Sequence, residues 1–160
     1  MKWKLGKART TRINRAATSP RHDLEHYCRD LNGWPRSWMG LEKDLLPGER
    51  LLVLFRPFLE HLVASGLSPQ TIQKHVDNVW ALGGEFIREL HHDPPLRRKP
   101  VDVVLLRMIE YGGPLLYGGG EDQQSSLDST CRKLHRFLNH TGARAHGAGK
   151  SEAALTRHTR

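Results

Sequence analysis

The residues of this chain with chemistry to offer fall into a few short groups, most of them basic. In Cys131-Arg132-Lys133-Leu134-His135-Arg136-Phe137-Leu138, Arg132 and Arg136 stand four apart. On a helix that spacing puts both guanidiniums on one ridge, opposite an apolar stripe of Leu127, Cys131, Leu134 and Leu138. Lys133 lies on the shoulder of this ridge, with Asn139 nearby. Such a ridge can grip phosphates, and cations in the last turns of a helix complement its dipole; a solvated face is the plain alternative. A second group, Ser68, Thr71 and Lys74, falls at a helix start, where free amides favour anions, although capping alone accounts for Ser68. The third, Arg97-Arg98-Lys99, sits in a proline-rich connection and reads equally well as a solvated loop.

Ten histidines raise the question of metal or acid–base chemistry. His22, His26 and Cys28 are close together, and Cys131 and His135 are four apart, but neither set has a recognised zinc spacing. Cys131 belongs by position to the apolar stripe. His91-His92 could supply half of a general-base site, yet no partner nucleophile accompanies it. Gly118-Gly119-Gly120 precedes a helix as a phosphate loop would, but Glu121 and Asp122 follow and would repel phosphate. The expectation is a protein with no catalytic residue, no metal and no cofactor, and not an enzyme.

The elements that position these groups are legible as helices. Pro47-Gly48-Glu49 opens one in which Leu51, Phe55, Phe58, Leu59 and Leu62 share a face, with Pro57 inside it predicted to kink or divide it. The corner Gly66-Leu67-Ser68-Pro69 has a mechanism: a left-handed glycine closes one helix, Ser68 caps the next, and Pro69 suits its first position. In the helix that follows, Ile72, Val76, Val79, Gly83, Phe86, Ile87 and Leu90 form one narrow stripe with Trp80 on its flank. Gly83-Gly84 weakens that helix by roughly 1 kcal/mol each against alanine, and the position of Gly83 on the stripe suggests close helix contact. A shorter helix is predicted over 101–110, burying Val104, Leu105, Met108 and Ile109, and a last one over 121–139, ended by Thr141-Gly142. A short first helix spans about 23–31, and Trp34, Trp38, Met39 and Leu41 read as a loop folding back on the core. HHDPPLRRKP is too rich in proline to be helical. The only rival strand is Leu51-Leu52-Val53-Leu54-Phe55.

The fold class expected is therefore all-α, a four- to five-helix bundle over residues 23–140, between a disordered basic arm (1–22) and a flexible basic tail (141–160). Charge is distributed accordingly. The arm carries +7 and the tail +3, while 23–140 holds 14 bases against 16 acids, or −2. Affinity for polyanions thus resides mostly in the ends, and any core site must be a local patch. The arm also has the composition of an organelle transit peptide, but a plain basic arm is the simpler reading. Cys28 and Cys131 form no disulfide framework, which favours a reducing cytoplasm. No apolar run approaches a membrane span.

The order of elements resembles the N-terminal core-binding, SAM-like domain of tyrosine recombinases (phage integrases) over about residues 49–140. The likeness lies in the corner Gly66-Leu67-Ser68-Pro69-Gln70-Thr71-Ile72, similar to that family's Gly-x-Ser-x-x-Thr-Ile, and in the last helix, similar to its Leu-Arg-x-Phe-x-x-Phe-Leu. His75 stands where the family usually has Tyr. The resemblance implies clamping of duplex DNA through Ser68, Thr71, Lys74, Arg132 and Arg136, to which the local charge adds Arg97, Arg98 and Lys133. Twenty residues beyond the last helix leave no room for the family's catalytic Arg, His-x-x-Arg and Tyr, so the implied role is a non-catalytic module, an accessory to DNA recombination or integration. The competing expectation is a protein-interaction module with no nucleic-acid role, using the apolar surface of Trp34, Trp38, Leu115, Leu116 and Tyr117.

Overall fold

The structure, a computed structural model, describes the backbone of residues 20–153 and the side chains of residues 24–142. Among the described residues six α-helices follow one another: α1 (Pro20–Tyr27), α2 (Trp34–Trp38), α3 (Leu45–Ala64), α4 (Pro69–His92), α5 (Val101–Ile109) and α6 (Glu121–Ala153). Short 3-10 turns occupy Leu31–Gly33, Glu42–Asp44 and Pro94–Arg98, and the described residues contain no strand.

Helices α3 and α4 form the central hairpin, and the corner between them is built as its residues require. Gly66 adopts φ +77°, the left-handed conformation that a side chain disfavours. The Ser68 hydroxyl accepts the Thr71 amide at 3.3 Å and shares a 2.8 Å bond with the Thr71 hydroxyl. All five apolar residues expected on α3 are buried, as is the whole α4 stripe. Pro57 does not divide α3. It lies on the exposed side one turn after Val53, itself 71% exposed, so the carbonyl that loses its intrahelical partner faces water.

Helix α2 replaces the expected loop and wedges two indoles into the hairpin. Trp34 and Trp38 are buried, and Trp38 Nε1 donates to the Trp80 carbonyl at 2.9 Å while Trp80 Nε1 donates to Ser37 Oγ at 3.0 Å. The Trp38 ring occupies the place a β-carbon on Gly83 would take, 2.1 Å away, so Gly83 is the point of close approach. Helix α5 packs on α3 and α6, and α6 lies against α4, burying Leu127, Cys131 and Leu134. Residues 94–98, expected to be non-helical, make a 3-10 turn, a form that proline tolerates at its start.

Expected helix boundaries differ: α1 ends at Tyr27 and not near residue 31, and α3 opens at Leu45, two residues before Pro47. Pro20–His22 belong to α1, and the rest of the arm lies outside the described residues. Thr141-Gly142 does not end α6, which continues to Ala153 before the tail leaves the described region. A glycine weakens a helix by only about 1 kcal/mol, and α6 runs through Gly142, Gly147 and Gly149 with alanines between them.

Candidate nucleic-acid interface

Helices α4 and α6 run antiparallel, and a buried polar ladder sets their register. His75 Nδ1 lies 2.7 Å from Thr130 Oγ1, and Asn78 Nδ2 donates to Thr130 Oγ1 and Ser126 Oγ at 2.9 Å each. The Thr130 hydroxyl donates its one proton to the Ser126 carbonyl at 3.2 Å. Its two lone pairs then receive Asn78 and His75, which places a proton on Nδ1 of the imidazole. Burial, reinforced by the nearby Lys133 and Lys74 ammoniums, holds the His75 pKa below its ordinary value.

Because residue 75 faces residue 130 in an antiparallel pair, residues 132–137 of α6 must come beside the start of α4 and the corner. They do. Lys133 and Arg136 line a groove of about 590 Å³ together with Leu67 of the corner, His61 of α3, and Phe137 and His140 of α6. Among the described residues no carboxylate lines this groove. Lys74, which with Lys133 acts on His75, lines a separate groove beside Asp77 and Asp122, and Arg132 is exposed one turn from Arg136. None of Lys74, Arg132, Lys133 and Arg136 enters an ion pair within the described residues. Ser68 and Thr71 border the same region, but their hydroxyls are engaged with each other.

Sequence reasoning missed the aromatic part of the groove. Phe58, Phe137 and His61 make a ladder with centroid separations of 5.6 and 5.1 Å, ending in the exposed ring of His61. No periodicity joins residue 61 to residue 137; only the pairing of α3 with α6 does.

Arg97 and Arg98 do not join this set. They follow the far end of α4, where the 17 residue steps from Lys74 to His91 rise about 25 Å. Arg97 is committed elsewhere: its Nη2 donates to Asp44 Oδ1 at 2.5 Å. Asp44 is fully buried, and its Oδ2 accepts from His91 Nε2 (2.8 Å) and from the Gly40 and Leu41 amides (3.0 and 2.8 Å). Burial alone would raise this carboxyl's pKa; the donors from Arg97, His91 and the two amides outweigh it and hold it well below the carboxylate range. Arg97 therefore clasps the Glu42–Asp44 turn to the end of α4, and Arg98 is left exposed beside it.

The apolar surface expected from five residues is also revised. Trp34 and Trp38 are core and offer no surface, whereas Leu115 and Tyr117 are 67% and 80% exposed and Leu116 is half-buried. The thiols are enclosed: burial pushes Cys28 up to about 11 and Cys131 up to about 12. Among the described residues no group of three or more His, Cys, Asp or Glu could hold a metal ion, and no helix is long and apolar enough to cross a membrane. In comparisons with protein-family models, with curated proteins and with solved structures, nothing matches this chain.

Proposed function

We propose that this chain is a non-catalytic duplex-DNA-binding module of the SAM-like core-binding type, engaging the phosphate backbone with the face shared by the start of α4 and the middle of α6. One observation carries the reading. Lys133 and Arg136 line one groove to which no described residue brings a carboxylate, Arg132 stands exposed one turn from Arg136, and none of the three enters an ion pair among the described residues, on a core whose net charge is −2. Unpaired cations gathered against the average charge of a domain are suited to a polyanion, which they bind by releasing its counterions. Phosphate contacts of this kind set register and orientation and carry no sequence information. The basic ends add long-range attraction. The setting in DNA recombination or integration, beside a separate recombinase, follows from the resemblance alone.

The test is the salt dependence of duplex binding by the full chain. Each phosphate neutralised contributes about 0.9 to the slope of log K against log salt. Replacing Lys133 and Arg136 together by alanine lowers the slope by about 2, whereas Arg98→Ala, at the far end of α4, lowers it less. An unchanged slope in the double variant removes this face from the binding surface. A second reading, a protein-interaction module, is favoured by the exposed Leu115 and Tyr117; it gains if the full chain shows no salt-dependent affinity.

A further inference from the structure

We infer that the groove between α3 and α6 seats an unpaired nucleotide, so that the module prefers a duplex with a single-stranded extension to a blunt one. The inference rests on the DNA-binding reading and adds a substrate feature to it. Its basis is the joining of two surfaces in one concavity. On one side stand the cations Lys133 and Arg136, with no carboxylate among the described residues lining the groove. On the other, the Phe58–Phe137–His61 ladder ends in an exposed planar ring, with Leu67 beside it.

A duplex phosphate needs only the cations. Its bases are stacked and paired, with no π-face to offer a side-chain ring. An unpaired nucleotide has both a phosphodiester and a free base face, and the groove offers a partner to each. Its volume of about 590 Å³ falls within the range of small-ligand sites, about 300–1,000 Å³. The tilt of His61 on Phe137, 36° between ring planes, leaves the imidazole as the outermost member of the ladder, where a base can continue it. Stacking of this sort tolerates any base, so the preference is for strandedness and not for sequence.

The test measures binding of the full chain to one duplex made blunt or with a three-nucleotide single-stranded extension, at fixed salt, by fluorescence anisotropy. The extension improves affinity of the wild-type chain by about tenfold, the range of one stacked base. His61→Ala abolishes that ratio, and His61→Phe, which retains a flat ring, preserves it. Arg136→Ala weakens both DNAs. Equal affinity for blunt and extended DNA in the wild-type chain overturns the inference and leaves the duplex reading standing. A ratio that survives His61→Ala also overturns it, because the extension is then held elsewhere. Absence of binding to either DNA overturns both readings together.

Discussion

Two adjacent glycines in α4 provide the sharpest test of the packing, because the same substitution should act in opposite directions. Glycine inside a helix is less favourable than alanine by roughly 0.5–1 kcal/mol, in part through the freedom of the unfolded chain. At Gly84 a β-carbon would lie 3.8 Å from Trp38 Cδ1, ordinary contact, so Gly84→Ala keeps the whole gain. At Gly83 it would lie 2.1 Å from Cζ2 and 2.2 Å from Cε2 of the same indole. Carbon atoms pack at about 3.5–4.0 Å, so the ring must retreat by more than an ångström. It is not free to do so: its Nε1 is bonded to the Trp80 carbonyl, and it meets Phe55 edge-on at 6.1 Å and Trp34 at 5.8 Å. Overpacking costs about 1–3 kcal/mol and a strained hydrogen bond about 1 more. After the helix-propensity gain is subtracted, Gly83→Ala is expected to destabilise by about 2–3 kcal/mol. Urea unfolding followed by circular dichroism reads both variants: the midpoint rises for Gly84→Ala and falls for Gly83→Ala, with similar m-values. If Gly83→Ala is as stable as Gly84→Ala, the placement of Trp38 against α4 is wrong.

The buried carboxylate and imidazole give two further tests. Asp44→Asn removes the charge that Arg97 and His91 grip and should destabilise the chain by about 2–3 kcal/mol in urea unfolding; a change under 0.5 kcal/mol would mean the clasp contributes little. The two groups also separate in pH. His75 has a depressed folded pKa, so the unfolded chain takes up a proton first: its contribution is complete above the ordinary 6.5 and erodes as pH falls below that, until the folded value is reached. The Asp44 contribution is likewise complete above 3.8 and is lost as pH falls toward its depressed folded value. Unfolding midpoints between pH 7.5 and 5 should therefore decline in the wild-type chain and decline less in His75→Gln; parallel curves for the two would remove His75 from the pH response.

Local signals made the hairpin legible. The α3 and α4 stripes follow from helical periodicity, and the corner from the conformations that Gly66, Ser68 and Pro69 each favour. These preferences act within one or two turns, so the amino-acid order carries them whole, and the α6 stripe was readable for the same reason. What failed was whatever depends on partners far along the chain. That Trp34 and Trp38 fold back on the core was legible from their bulk, whereas their use as surface in the interaction reading fails because α2 packs on α3 and α4, Trp38 reaching the Trp80 carbonyl 42 residues away. Arg97 looked like a free cation because its partner Asp44 is 53 residues distant.

The candidate site divides along the same line. That Arg132 and Arg136 share a ridge is helix geometry and was written in their spacing. That Lys133 and Arg136 come beside the corner was decided by the antiparallel register of α4 on α6, which the His75–Thr130 bond sets across 55 residues, and that they share a groove with His61 was decided by the pairing of α3 with α6. Charge type and helical face are properties of residues and their near neighbours; convergence is a property of how faces are paired, and burial and hydrogen bonding choose that pairing only when the whole chain is folded.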